Sequence, residues 1–186
     1  MNKVINTCYT SDTNTVTKII FSIAYKLSCD EKKIALNSSN IFKRFYFSKK
    51  VTQSINIKKF MNVLKNNSLT QSNSLFDYTF LFNQPISTVD YTICFFNCVN
   101  DNLEKIKKTL TSFVKNEINN LVIILTNYSN KYIKLYSYLL NTYVKFFFYT
   151  CTKQESNEIN TDLLLNNKSY ILPWIIKLCT MLTIQK

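Results

Sequence analysis

A three-layer α/β domain, with a mostly parallel sheet between helices on both faces, is the class this sequence predicts, on three observations. Short runs rich in β-branched and aromatic residues alternate with stretches whose apolar residues recur at helical spacing. The connections are short, so successive strands must be joined by right-handed crossovers that carry helices across both faces. The chain has 186 residues, 46% hydrophobic and 15% aromatic. That is ample for one core and cramped for two, so residues 1–186 read as a single domain.

The elements follow in order. Val4 to Tyr9 reads as a strand. The polar residues Thr10 to Asn14 come next, and then Val16, Ile19, Ile20, Ile23, Ala24 and Leu27 form one helical stripe, with Asp12, Thr13 or Asn14 able to cap it. In the middle, Ile41 to Phe47 and Leu75 to Phe82 read as strands. Ile57, Phe60, Met61 and Leu64 give Ile55 to Lys65 the spacing of a short helix, and the polar segment Asn66 to Ser74 reads as a mobile loop. Tyr91 to Phe96 is a continuous apolar strand. Asp101 and Glu104 after it have capping-box spacing, ahead of a helical face of Leu103, Ile106, Leu110, Phe113 and Val114. Leu121 to Leu125 has the uninterrupted β-branched character of a strand covered on both faces. Ile133, Leu135, Tyr136, Leu139 and Leu140 predict another helix, and Val144 to Tyr149 a further buried strand. A last helix is predicted from Tyr170 to Ile184, with Pro173 in its first turn.

The residue types restrict the chemistry. The chain contains no glycine, and phosphate-cradling loops need bare backbone N–H groups where a Cβ would clash. It contains no histidine, which removes Ser-His-Asp and Cys-His arrangements, His-containing zinc sites and the commonest general base. Tyr9-Thr10-Ser11-Asp12-Thr13-Asn14-Thr15-Val16-Thr17-Lys18 stands where a nucleotide-binding α/β protein carries G-x-x-x-x-G-K-[ST]. Lys18 is followed by Ile19 instead of a magnesium-binding hydroxyl, and Asp12 would set a carboxylate against phosphate. No catalytic residue, metal site, cofactor or nucleotide is therefore expected. An enzyme on this chain would have to use carboxylate, lysine, serine or cysteine chemistry.

Six cysteines are present, Cys8, Cys29, Cys94, Cys98, Cys151 and Cys179. Without a secretory-type apolar start or a run of membrane-spanning length, a soluble intracellular protein with reduced thiols and no membrane contact is expected. Cys94 and Cys98 lie four apart beside an apolar run and read as buried thiols rather than metal ligands. Asp90 reads as a structural group at a strand edge, and Trp174 as the anchor of the last helix.

The net charge is +12 and the pI about 9.4. Lys, Asn, Ile, Phe and Tyr all have AT-rich codons, so only the clustering of lysines carries weight. Lys43-Arg44, Lys49-Lys50, Lys58-Lys59 and Lys105-Lys107-Lys108 could meet DNA or an acidic partner, and Phe45, Tyr46 and Phe47 could stack on bases or alternate along a strand. Arg44 is the only arginine, and base reading favours that side chain. Direct nucleic-acid contact is therefore disfavoured against a solvated surface or an acidic protein groove. Tyr132, Tyr136, Tyr138 and Tyr143 exceed what one narrow buried face needs. Tyr132, Tyr136 and Tyr138 are accordingly the candidate partner contacts.

The later segments have the order of a small GTPase. Val89 to Asn97 places an Asp before a hydrophobic run that ends in an amide. Thr126-Asn127-Tyr128-Ser129-Asn130 stands where that superfamily carries N-K-x-D, keeping Asn127 and replacing Lys by Tyr128 and Asp by Asn130. Thr150-Cys151-Thr152-Lys153 is similar to a worn S-A-K loop. Within the superfamily the chain resembles the centromere protein M family of kinetochore subunits, which have a Ras-like fold and bind no nucleotide. Pro85, Asp90, Ile93 to Phe96, Asn97, Leu110 and Val114 follow that family's order, with a weaker match over Val4 to Leu27; the family's glycine before the next strand is absent. The resemblance implies a small-GTPase-like fold without a functional P-loop. It also implies a non-enzymatic scaffold of the inner kinetochore, in the nucleus at the centromere. There it would bind centromere proteins I, H and K in support of kinetochore assembly and chromosome segregation. A pseudo-GTPase adaptor in vesicle traffic and a basic nucleic-acid-binding module are the alternatives.

Overall fold

The structure is a computed structural model that describes residues 2–9, 13–37, 54–58, 61–64, 75–83, 89–118, 120–159 and 171–184. The chain opens with β1 (Lys3–Tyr9), α1 (Thr13–Cys29), β2 (Ile34–Asn37), β3 (Ser54–Lys58), β4 (Met61–Leu64), β5 (Tyr78–Phe82) and β6 (Tyr91–Asn97). It continues with α2 (Leu103–Lys115), β7 (Leu121–Tyr128), a 3-10 turn (Asn130–Tyr132) leading into α3 (Ile133–Thr142), β8 (Phe147–Thr152), α4 (Lys153–Glu158) and α5 (Pro173–Ile184). The strands form one sheet in the order β3-β4-β2-β5-β1-β6-β7-β8. All neighbours are parallel except β3, which runs antiparallel to β4 at one edge. This is the expected α/β class, with β1 in the interior between β5 and β6.

The two faces of the sheet can be read along β7, where every side chain from Leu121 to Thr126 is buried. Val122 and Ile124 point into a core shared with α1 and α5; Leu121, Ile123 and Leu125 point into a second core under α2 and α3. The period-two alternation of a strand puts successive residues on opposite faces, so an unbroken apolar run must have cover on both. α1 buries its predicted stripe and also Phe21, because α5 lies alongside it. Two contacts secure the C-terminal end of α5 to the sheet: Lys3 Nζ donates to the Leu182 carbonyl oxygen at 2.7 Å, and Tyr78 Oη to the same oxygen at 3.3 Å. A cation there also complements the negative end of the helix. Trp174 anchors α5 as expected, its ring centroid 5.7 Å from that of Tyr149 on β8. Asp90 has the structural role expected of it. Val4 N–H donates to its carboxylate at 2.6 Å and Asn120 Nδ2 to its carbonyl at 3.0 Å, tying the starts of β1, β6 and β7.

A chain without glycine must still end its helices. Both α1 and α2 do so with a glutamate in the left-handed region, Glu31 at φ 59° and Glu117 at φ 53°. Glu31 N–H donates to Ser28 O and Lys32 N–H to Leu27 O; Glu117 N–H donates to Val114 O and Ile118 N–H to Phe113 O. These are two complete Schellman motifs at a position where glycine is usual. The left-handed conformation costs an L-residue roughly 1–2 kcal/mol.

Several expectations are corrected. Within Ile55 to Lys65, expected as a helix, the described residues are strands, the antiparallel pair β3 and β4, with β4 also paired to β2, and Lys59, Phe60 and Lys65 lie outside the described residues. So short a helix is marginal alone, whereas joining the sheet pairs the backbone polar groups along the run. β2 itself was not anticipated; four residues are too few to display a period. The strand expected from Leu75 begins at Tyr78, in register with Lys3. The strand expected from Val144 to Tyr149 runs from Phe147 to Thr152 instead, because its register against β7 starts at Phe147 opposite Val122. It is a half-exposed edge: Val144 is 78% exposed and Phe147 40%, and only Cys151 is buried. Asn102, not Asp101, caps α2, accepting from Lys105 N–H at 2.8 Å. Leu103 and Val114 lie outside the buried stripe of α2. The strand expected over Ile41 to Phe47, the loop Asn66 to Ser74, Asp12, Pro85, Tyr170, Arg44 with the basic residues Lys43, Lys49, Lys50 and Lys59, and the aromatics Phe45, Tyr46 and Phe47 lie outside the described residues.

Candidate functional site

Open parallel sheets bind ligands beyond the carboxyl ends of their strands, and here that edge carries a cleft. Its volume is 480 Å³, and its lining includes Thr15 and Lys18 of α1, Asn97 at the end of β6, Asn127 near the end of β7 and Lys153 at the start of α4. Asn97 is held at the end of β6, where its backbone N–H donates to Asp101 Oδ2 at 2.8 Å and its side-chain Oδ1 accepts from Val99 N–H at 2.9 Å. Asn127 sits at a register shift between Thr126 and Tyr128 with φ 51°, so its side chain leaves the regular pleat and lines the cleft. After β8, Thr152 caps α4 through a full capping box with Glu155. Thr150 to Thr152 thus belong to the strand and its cap, not to a loop.

α4 closes onto α1. Lys18 Nζ donates to the Ser156 carbonyl oxygen at 3.3 Å, and Ser156 Oγ donates to Thr15 Oγ1 at 3.2 Å. Lys18 and Thr15 are thus both engaged by the protein itself. Among the described residues the cleft is lined by ammoniums, hydroxyls and amides and by no carboxylate. That set can hydrogen-bond a polar or anionic surface. No cluster of three metal-ligating side chains occurs among the described residues.

Four of the thiols are shifted away from reactivity. Cys94, Cys98, Cys151 and Cys179 are buried, and all six cysteines are free. Burial pushes the Cys8 and Cys98 thiols up to about 11 and Cys179 to about 12, and holds Cys94 well above its ordinary value. A nucleophilic cysteine needs the opposite shift.

The three candidate tyrosines separate. Tyr136 turns inward, edge-on to Tyr128 with ring centroids 5.8 Å apart, and burial raises its phenol above the ordinary value. Tyr132 and Tyr138 line a second groove, 550 Å³ in volume, between the start of α2 and α3. Sequence reasoning missed Val99, Leu103 and Leu135 in that groove. Leu103 and Leu135 have the spacing of buried helical stripes, so no signal in the sequence marked them as groove residues. Tyr143 stacks on Phe146, ring centroids 6.0 Å apart, behind α3.

No protein-family model matches the sequence, and no curated protein matches it either. Solved structures do match, over nearly the whole chain. The MinD cell division protein of Aquifex aeolicus superposes with a TM-score of 0.66 at 11% identity, covering 99% of this chain and 98% of that one. A putative plasmid partition protein of Borrelia burgdorferi bound to AMPPNP gives 0.64 at 14% identity, covering 99% and 100%. The MinC:MinD cell division complex of Aquifex aeolicus gives 0.67 at 12% identity, covering 99% and 96%. The likeness establishes the fold. This chain shares its architecture with proteins of which one is bound to a nucleotide analogue and one is in complex with a protein partner.

Proposed function

We propose that this chain is a non-enzymatic assembly subunit, a domain of nucleotide-binding architecture that works through protein contacts. One observation carries the reading: Lys18 is hydrogen-bonded to the Ser156 carbonyl in a chain whose sequence has no glycine with which to wrap phosphate. The lining supports it too: among the described residues it holds hydroxyls but no carboxylate, and magnesium-assisted hydrolysis draws on both. The MinD structure in complex with MinC supports the protein-binding half, as an example of the same architecture in an assembly.

The setting rests on the resemblance to the centromere protein M family: an inner-kinetochore scaffold partnered by centromere proteins I, H and K, with a vesicle-traffic adaptor as the alternative. Affinity purification from dividing cells separates the two by whether centromeric subunits or coat and adaptor proteins co-purify. The biochemical half is tested on the purified chain with ATP or GTP and magnesium. No hydrolysis above the buffer rate and no change in melting temperature are expected. Ligand at 100 times its dissociation constant would stabilise the fold by about 2.7 kcal/mol, a shift of several degrees that would overturn the reading.

A further inference from the structure

We propose that the groove between the start of α2 and α3 is the docking site for an acidic amphipathic helix of a partner protein. This rests on the assembly-subunit reading and gives it a surface. The floor of the groove is apolar: Val99, Leu103 and Leu135, with Tyr132 and Tyr138 at its side. Val99 is 63% exposed, Tyr138 39% and Leu103 36%. Ile133 and Leu140, exposed 56% and 37%, carry apolar surface further along α3. Apolar side chains presented between two helices suit the ridge of a third, which is how helix-in-groove recognition works.

Charge decides the kind of helix. Lys107 on α2, Lys131 in the 3-10 turn and Lys134 on α3 stand around or beside the floor. The Lys107 ammonium lies 4.9 Å from the Tyr138 ring centroid and Lys131 4.8 Å from that of Tyr132, so both cations are held against the tyrosines of the groove. The acids nearby are already engaged. Asp101 is buried against Asn97 N–H and paired to Lys105, and the exposed Glu104 pairs with Lys107 at 3.5 Å, so these charges offset one another and Lys131 and Lys134 carry the positive excess. The N-terminus of α2 opens at the groove and adds positive partial charge. An apolar ridge flanked by Asp and Glu complements this surface. A second copy would bring lysines against lysines across a two-fold axis. Nucleic acid would find lysines and two tyrosines, but each ring is already covered by a lysine and no arginine to read bases is among the described residues.

The test uses the full chain and a fluorescent synthetic helix of about 18 residues, roughly five turns, with leucines along one face and glutamates along the others. One control has the same composition with the leucines scrambled around the helix, and a second replaces the glutamates with lysines. The glutamate helix should bind, both controls should not, and added salt should weaken binding. Leu103→Glu and Tyr138→Ala should each weaken it about tenfold or more, the loss expected of a central anchor, without lowering the melting temperature. Should Leu103→Glu unfold the chain, Val99→Glu reports on the same floor from a more exposed position. Lys131→Glu with Lys134→Glu should shift preference toward the lysine helix. Equal binding of the scrambled helix, binding undiminished in both Val99→Glu and Tyr138→Ala, or displacement of the peptide by duplex DNA would each overturn the proposal. So would self-association in sedimentation that Val99→Glu abolishes. Nucleotide hydrolysis would bring down the assembly-subunit reading instead, whatever the peptide does; a silent peptide without hydrolysis removes the groove alone.

Discussion

The two faces of the sheet are built from similar residues and finished differently. On the α1 and α5 face, Phe21, Ile19, Ile20, Ile23 and Leu27 of the first helix are fully buried, and Ile175, Leu178 and Leu182 of the last helix close the layer. On the α2 and α3 face, α2 buries Ile106, Leu110 and Phe113, and α3 buries Leu139 alone. Val99, Leu103, Val114, Ile133, Tyr138 and Leu140 remain exposed on these two helices and the loop before α2, whereas α1 exposes no large hydrophobic residue and α5 exposes Ile176 and Ile184. The difference lies in neighbours, not in hydrophobicity. α1 packs on the sheet with α5 beside it, so residues off its main stripe are also covered. α2 and α3 each have the sheet beneath them and a free outer side. One face is committed to folding, while the other keeps apolar surface for contact.

The largest test of that contrast is a pair of truncations. Phe21→Ala should cost about 3–5 kcal/mol in urea unfolding, the range for a buried aromatic, whereas Leu103→Ala should stay within about 0.5 kcal/mol. A comparable loss at both would erase the distinction between the faces. Alkaline unfolding follows in size. Burial pushes Tyr25, Tyr78 and Cys179, all in the α1 and α5 core, to about 12, and Cys8 and Cys98 on the other side to about 11. These groups hold their protons more tightly folded than unfolded. Their contribution is therefore complete below about pH 9 and is lost as pH rises through 9 to 12. Urea midpoints should fall across that window, and less steeply in Cys179→Ala than in the parent chain.

Smaller effects sharpen the α2 side. Asp101→Ala leaves the buried Asn97 N–H without its acceptor and should cost about 1–3 kcal/mol, while Lys105→Ala, removing the exposed partner, should cost less than about 1 kcal/mol. Glu31→Gly and Glu117→Gly should each stabilise the chain by about 1 kcal/mol by relieving left-handed backbone. Equal gains at the two sites would show that helix ends behave alike whichever face they border. A loss at either would mean that the glutamate side chain makes a contact that outweighs the strain.

Much of this fold is legible in residue order. Uninterrupted runs such as Ile93 to Phe96 and Leu121 to Leu125 announce strands covered on both faces, and the stripe from Val16 to Leu27 announces α1. The candidate partner tyrosines are legible only as an excess. Nothing in the spacing of Tyr132, Tyr136 and Tyr138 tells which turns inward, because that depends on Tyr128 arriving from β7. The β3 and β4 pair is illegible for a related reason: its backbone is satisfied by β2, distant in sequence.

The sequence by itself determined the alternation of strands and helices, the absence of a glycine phosphate loop and the excess of lysine, since each is a matter of residue type and local period. Only the tertiary structure decided that Lys18 meets Ser156, that glutamates serve as left-handed caps, and that Leu103, Val99 and Tyr138 share one open groove. Those outcomes depend on which elements become neighbours. Hydrophobic burial is nondirectional; the pairing of backbone and the packing of α5 on α1, not the apolar residues themselves, determine which side chains are covered and which are left to meet a partner.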